Sequence, residues 1–266
     1  MDQAIRSVQH QTYACIQLIV VDDHSTDSSR DVIQNQVAND PSIEFIPLPT
    51  NLGNCRAFNN GLIKVRGEFV IDLSADDILL PTRIERGVEE LQTHGINYGV
   101  NFSDAELTSE TNELLGLHSE KFSHEAIPQG DVFADVLSRY FISSATMMMR
   151  KEVFDKLGGY DETLAYEDFD FWVRSSRYFQ YCYTPDPLVR KRIVENSLGR
   201  RQYLRGSVQM NSTLVVCEKA LALCKNQAEF AALKKRVQFE VRQAIKTGNW
   251  GLWLGYWKLW RKIPSR

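Results

Sequence analysis

The sequence predicts an α/β protein in which a mainly parallel sheet carries helices on both faces and is followed by a helical extension. Two observations lead there. Through the first half, short apolar runs alternate with helix-length amphipathic stretches, the pattern of strands joined by crossover helices. From Leu198 almost to the end, the apolar spacing is helical. A chain of 266 residues, 43% hydrophobic and 24% charged, has the material for one large domain with an appendage.

The elements follow in order. Ile16 to Val21 reads as a buried strand, Ser28 to Asn39 as a helix, Ile43 to Leu48 as a strand and Asn54 to Val65 as a helix. A strand at Glu68 to Leu73 comes next, then a helix started by Pro81 and running to about His94, and a strand at Tyr98 to Ser103. Residues Asp104 to Gln129 are less regular. A second ordered block, Gly130 to Arg192, holds a strand at Ala145 to Met149 and a helix at Asp168 to Tyr178. The expected division is a catalytic-type domain over 1–192 and a helical region over 193–266. In parallel sheets ligands bind beyond the carboxyl ends of the strands, so residues just after each strand are the candidates for function.

Composition removes several classes. The balance of 31 basic and 34 acidic residues, net −3, argues against nucleic-acid binding. The charge is nevertheless segregated. After Glu240 there is no acidic residue, while Arg242, Lys246, Lys258, Arg261, Lys262 and Arg266 are basic; removing these six from the net −3 leaves −9 on residues 1–241. Five cysteines without CxxC spacing support neither a disulfide framework nor a zinc site, and a reducing, cytoplasmic compartment is expected. No apolar run reaches the ~18 residues of a spanning helix, and Met1-Asp2-Gln3 does not read as a signal peptide. The histidines His10, His24, His94, His118 and His124 lack metal spacing and read as structural or solvated. There is no Gly-x-Ser-x-Gly elbow, so a serine hydrolase has no support.

Four constellations carry chemistry. Asp22 and Asp23 end a buried strand before Ser25-Thr26-Asp27; either could accept from a base or ribose in the crevice, or the segment could serve only as a turn and helix cap. Asn51-Leu52-Gly53-Asn54-Cys55-Arg56 feeds a helix, with Gly53 free to take positive φ and the helix start open to anions, yet neither phosphate-loop spacing is present. In Asp72-Leu73-Ser74-Ala75-Asp76-Asp77 adjacent carboxylates at a strand end repel unless a cation or donors compensate, which a divalent metal would do. Glu167-Asp168 opens an aromatic helix, where the macrodipole alone favours carboxylates but a general base would also fit.

Taken in order, these segments resemble the family 2 glycosyltransferases, inverting nucleotide-sugar enzymes with the GT-A, Rossmann-like fold. The matching stretches are Ala4-Ile5-Arg6-Ser7-Val8, Leu18 to Asp27, Asn51-Leu52-Gly53, Asn59-Asn60-Gly61, Gly67-Glu68-Phe69-Val70, Ala75-Asp76-Asp77, Met149 to Phe154, Gly158 to Glu162 and Glu167 to Arg174. The resemblance implies base recognition by Asp22 or Asp23, with Asn51, Gly53, Arg56, Asp76 and Glu167 also on the donor side. It implies Mn²⁺ or Mg²⁺ on Asp76 with support from Asp77, and Asp168 as the general base. Ser74 stands where the family's first metal-motif carboxylate belongs, and Phe58 where an arginine often precedes the asparagine. The family pattern opens with an apolar strand ending in Pro-Thr-Tyr-Asn, and this sequence joins it just after, so a sheet lacking a central strand is expected.

The function implied is sugar transfer from a nucleotide-diphosphate sugar to a glycan or lipid-linked acceptor in polysaccharide or glycoconjugate biosynthesis. The competing readings are a sugar nucleotidyltransferase and a degenerate domain that binds a glycan or partner without turnover. At the carboxyl terminus Trp250, Trp253, Trp257 and Trp260 recur at helical spacing beside Lys258, Arg261 and Lys262. Residues 248–266 are therefore expected to lie peripherally on the cytoplasmic face of a membrane, against the alternative that the aromatic stripe is core.

Overall fold

The computed structural model describes residues 1–122, 126–194 and 202–264; His124, Leu198 and Arg266 lie outside them. Helix α1 (Asp2–Gln9) buries Ala4, Ile5 and Val8. It leads to β1 (Ile19–Asp22), α2 (Ser29–Asn39), β2 (Glu44–Pro47), α3 (Asn54–Leu62) and β3 (Phe69–Val70). After β4 (Ile78–Leu79) and α4 (Arg83–His94), the long strand β5 (Tyr98–Thr108) turns into β6 (Leu114–Leu117). Helix α5 (Phe133–Ser138), β7 (Met147–Arg150), α6 (Lys151–Leu157), α7 (Asp168–Ser175) and β8 (Gln180–Arg192) complete the part that carries the sheet. Helices α8 (Val208–Leu223), α9 (Gln227–Lys246) and α10 (Trp250–Lys262) follow.

The class is as expected, but the sheet is mixed rather than mainly parallel. Strands β1 and β2 pair in parallel as one ladder. The others form a second sheet in the order β3-β7-β5-β8-β4, with β6 on β5. Among the described residues only β5 and β8 run parallel within it; the β3/β7, β5/β7, β5/β6 and β4/β8 pairs are antiparallel. The correction has a local cause. Alternating strand and helix patterns hold only as far as Ser103, and antiparallel neighbours need no crossover helix, so the second block escapes that rule. Strand β8 is hidden by Pro185 and Pro187, residues that cannot donate to a ladder. The structure absorbs them at a register shift, where Ser103 faces Thr184 but Asp104 faces Pro187.

One apolar core runs from the sheet into the carboxyl-terminal helices, joining Val100, Phe102, Phe169 and Trp172 to Met210, Val216, Val237 and Tyr256. Polar ties cross the same boundary. Lys219 Nζ donates to Asp170 Oδ1 at 2.6 Å, the Tyr166 and Thr213 hydroxyls meet at 2.6 Å, and Arg177 pairs with Glu229 at 2.9 Å. The helical region thus holds α7, which carries Glu167 at its cap and Asp168 at its first turn, in place. No helix among the described residues is long and apolar enough to cross a membrane.

Candidate active site

A cavity of about 700 Å³ runs between β1 and β3, from Gln17 and Glu68 at their amino ends to Asp23 and Ser74 past their carboxyl ends. Its polar end is lined by Asp23, Asn54, Asp72, Ser74 and Glu167. Most of its remaining wall is apolar, from Ile5, Ile19, Val21, Leu62, Ile71 and Leu73 among others.

The two strand-end aspartates, alike in sequence, divide sharply. Asp22 is buried, accepts from Arg30 Nε at 3.0 Å and Nη2 at 2.8 Å, and receives the Ser25 N–H at 3.0 Å. Burial opposes its ionisation, but these hydrogen bonds prevail and hold the carboxyl below its ordinary value. It does not line the cavity. Asp23 does, and its two oxygens accept from Leu52 N at 2.6 Å and Gly53 N at 2.8 Å, while Asn51 Nδ2 donates to its carbonyl at 3.2 Å. Gly53 takes φ +86°, the left-handed side its sequence position called for, and so turns the chain into α3.

From α3, Asn54 Nδ2 donates to Glu167 Oε2 at 2.7 Å, joining the second constellation to the fourth. Asn59 clamps the turn before α7: its Nδ2 donates to the Tyr160 carbonyl at 2.9 Å, and its Oδ1 accepts the Tyr160 N–H at 2.9 Å. Gly159, at φ +84°, lies so close that a Cβ there would be 2.6 Å from Asn59 Oδ1. Phe58 stacks on Tyr160 with ring centroids 4.3 Å apart, so the residue that replaces the family's arginine serves packing. Arg56 pairs instead with Glu162 at 3.4 Å on the surface, outside the cavity wall.

Glu167 and Asp168 are half-buried and form no ion pair among the described residues. Burial, then the neighbouring Asp168 and Asp72, push the Glu167 carboxyl up to about 8, against the Asn54 hydrogen bond. Burial also raises Asp168, opposed by the Tyr140 hydroxyl on Oδ2 at 2.5 Å and the Phe169 N–H on Oδ1 at 2.7 Å. Asp72 is the third member. Burial lifts it to about 6, although the Tyr160 hydroxyl donates to it at 3.1 Å. Neither Asp72 nor Tyr140 was singled out from sequence. A carboxylate inside the apolar run Phe69-Val70-Ile71-Asp72-Leu73 was an available signal, since such a position is costly without a use. For Tyr140, 28 residues before Asp168, there was none.

At the metal motif the two acids again part. Asp77 is buried and accepts the Arg192 N–H at 3.2 Å; burial, then the adjacent Asp76, raise it to about 6. Asp76 is exposed, and its carboxylate accepts no hydrogen bond among the described residues. No three His, Cys, Asp or Glu side chains among the described residues converge as a metal-binding group. One free carboxylate at a strand end suits a hard cation that takes its other oxygens from water and a diphosphate, so Asp76 fits that role and Asp77 serves the β8 backbone. His10, His24, His94 and His118 join no such group.

The fold that carries this strand-end crevice is of the GT-A type. The structure is similar to that of S. aureus TarS 1-349 in complex with UDP-GlcNAc, with TM-score 0.73 and 15% identity, covering 98% of this chain and 77% of that one. It is also similar to the mannosyltransferase PcManGT from Pyrobaculum calidifontis in complex with GDP-Man and Mn²⁺, with TM-score 0.66 and 13% identity, covering 97% and 69%. The glycosyl transferase family 2 model matches residues 1–158, and the chain belongs to that family. Among curated relatives, the amylovoran biosynthesis glycosyltransferase AmsE of Erwinia amylovora is 24% identical over 214 residues, 79% of this chain and 78% of that protein. The chain spans about half or less of the length of the relatives it matches at 31% and 40% identity.

Proposed function

We propose that this chain transfers a sugar from a nucleoside-diphosphate sugar to an acceptor hydroxyl with inversion, in polysaccharide or glycoconjugate biosynthesis. The observation that carries this reading is the pair Glu167 and Asp168, desolvated beside the polar end of the cavity on a family 2 fold. In the reaction the acceptor oxygen bonds to the anomeric carbon as the bond from that carbon to the diphosphate breaks. The hydroxyl proton passes to Asp168. The Tyr140 hydroxyl and the Phe169 N–H fix the two carboxylate oxygens, each keeping a lone pair for that proton. Burial and the neighbouring Asp168 raise Glu167, which favours its protonated form beside Asp168.

On the donor side Asp23 and the Asn51 to Gly53 loop face the nucleoside, with Asp22 and Arg30 anchoring the strand end behind them. Mn²⁺ or Mg²⁺ held by Asp76 would neutralise the departing diphosphate. The nucleotidyltransferase reading has no observation in its favour once the family is known, and Asp76 and Asp168 weigh against a domain without turnover. The test is to supply UDP- and GDP-sugars with lipid-linked or glycan acceptors and to read the product by NMR. An anomeric configuration opposite to the donor's supports the reading, and a retained configuration contradicts it.

The acceptor side brings in α10. The four tryptophans do not all face outward. Trp253 and Trp260 pack against the core, while Trp250 and Trp257 are exposed along with Leu254. The helix docks by Tyr256, Leu259 and Ile263 and presents the rest beside Lys258, Arg261 and Lys262. That outer stripe fits the cytoplasmic face of an anionic membrane, where each basic residue is worth ~1 kcal/mol. Trp250→Ser with Trp257→Ser spares the docked face. Wild type should sediment with anionic vesicles at low salt and the double variant should not; equal sedimentation rejects the membrane role.

A further inference from the structure

Asp72 lines the cavity yet has no part in the proton transfer or in holding the diphosphate. It interrupts the apolar run Phe69 to Leu73, and it joins no metal-type group of side chains among the described residues. Its direction follows from the strand. Phe69 and Ile71 pack with Val88 and Leu91 of α4, whereas Val70 joins the core that holds Tyr160 and Phe171. Alternate residues point to opposite faces, so Asp72 follows Val70 toward α7. The Tyr160 hydroxyl meets it there, donating to Oδ2 at 3.1 Å.

Tyr160 is the fixed member of this pair. It is 3% exposed, stacks on Phe58 with centroids 4.3 Å apart, meets Phe171 edge-on at 5.7 Å and has both backbone groups held by Asn59. Its hydroxyl therefore sets the rotation of the Asp72 carboxyl and engages one oxygen of it. The other oxygen, Oδ1, accepts no hydrogen bond among the described residues and is not sealed from solvent, so it opens to the cavity that Asp72 lines. A neutral acceptor would satisfy the tyrosine at less cost than a carboxyl in an apolar run. The second oxygen is what the acid adds. Its position also names its ligand. Asp76, the acid on the diphosphate side, lies further along the same run, and Glu167, next to Asp168, lines the same polar end. A ring held between the diphosphate and the base lies against this wall, and a sugar ring meets an acceptor with its hydroxyls.

We propose that Asp72 selects the donor sugar: its Oδ1 accepts a hydrogen bond from a hydroxyl of the transferred ring, and Tyr160 positions the carboxyl for that contact. This role rests on the nucleotide-sugar reading of the site, and it adds a choice among sugars. A site that hydrogen-bonds a substrate hydroxyl rejects the analogue without it, because its own polar group is then left unpaired. The donor thus carries a free hydroxyl where its ring faces β3, and sugars deoxygenated there are excluded.

The experiment measures, by calorimetry with Mn²⁺, how much tighter a nucleotide sugar binds than its bare nucleoside diphosphate. UDP-glucose, UDP-galactose, UDP-N-acetylglucosamine and GDP-mannose are the probes, against UDP and GDP, and the probe with the widest margin is then supplied as its monodeoxy analogues. In wild type one deoxy analogue should lose about tenfold in affinity. Asp72→Ala should lose about the same factor with the intact probe, bind bare nucleotide as before and no longer notice that deoxygenation, which is how a cycle isolates a direct contact. Tyr160→Phe keeps the ring and its stacking and should narrow the same discrimination a few-fold; it carries the test if Asp72→Ala does not fold. Unchanged discrimination in a folded variant overturns the proposal, because Asp72 then only anchors Tyr160. So does an equal loss for bare nucleotide and nucleotide sugar, or a wild type that binds UDP or GDP and gains nothing from any of the sugars. If neither UDP nor GDP binds, the nucleotide-sugar reading itself has failed, and this role falls with it.

Discussion

Two groups of carboxylates, half-buried except for the buried Asp170, gather about α7, and they differ in what surrounds them. On the scaffold side, Asp170 accepts from Arg174 and Lys219, both at 2.6 Å, and Asp161 accepts from Thr163 and Lys219. Burial works against Asp161, but its hydrogen bonds and the lysine hold the carboxyl down at about 2. On the other side, Asp72, Glu167 and Asp168 accept from neutral donors and make no ion pair among the described residues, and burial raises all three, Asp168 against the more distant charges of Lys191 and Arg236. A buried acid matched by a cation stabilises a structure; one left without a cation is a cost that the fold bears elsewhere. The contrast separates acids that build α7 from acids that α7 presents.

The largest expected effect falls on the cavity side. Asp168→Asn keeps shape and removes basicity, so turnover should fall ~10²–10⁴-fold while donor binding persists. Retained turnover would move the base to Glu167. On the scaffold side, Asp170→Ala leaves Arg174 and Lys219 facing a buried void and should cost about 3 kcal/mol in denaturant unfolding, the low end for a broken buried pair because Lys219 keeps solvent contact. A loss below about 1 kcal/mol would dissolve the contrast. Asp76→Ala should weaken Mn²⁺-dependent nucleoside-diphosphate binding about tenfold in calorimetry and leave the melting temperature nearly unchanged, as an exposed unpaired acid implies. Equal affinity with and without the substitution would remove the cation from Asp76.

Much of this was legible in the sequence because it is local. The alternation of apolar and amphipathic segments placed β1, α2, β2, α3 and α4 within a few residues; strand-end position flagged Asp22, Asp23 and Asp76, and the start of an aromatic helix flagged Asp168. What escaped depends on tertiary contacts. Asp22 and Asp23 are adjacent and chemically equal, and the Ser25 N–H together with Arg30, in the first turn of α2, turns the first into an anchor. Arg56 looked free for a phosphate until Glu162 came beside it. Tyr140 reaches Asp168 from a loop with no local signal, and the prolines of β8 were readable only once a bulge was there to hold them. The tryptophan stripe divided because helical spacing fixes which residues share a face and not how far the face is docked.

The claim that these two sets of acids are of different kinds is tested most directly by the pH dependence of stability in Glu167→Gln and Asp161→Asn. Burial and the neighbouring Asp168 push the Glu167 carboxyl up to about 8 from its ordinary 4.5, so the folded state holds the proton more tightly and wild-type stability falls as pH rises through that window. Asp161 is lowered to about 2 from 3.8, so its contribution is present above about pH 4 and is lost as pH falls toward 2. Melting curves from pH 4 to 8 should show Glu167→Gln gaining on wild type as pH rises, while Asp161→Asn stays less stable than wild type throughout. If Glu167→Gln instead loses ground to wild type between pH 5 and pH 8, the carboxylate is a stabilising, compensated group like Asp161, and the assignment of the cavity acids to function is contradicted.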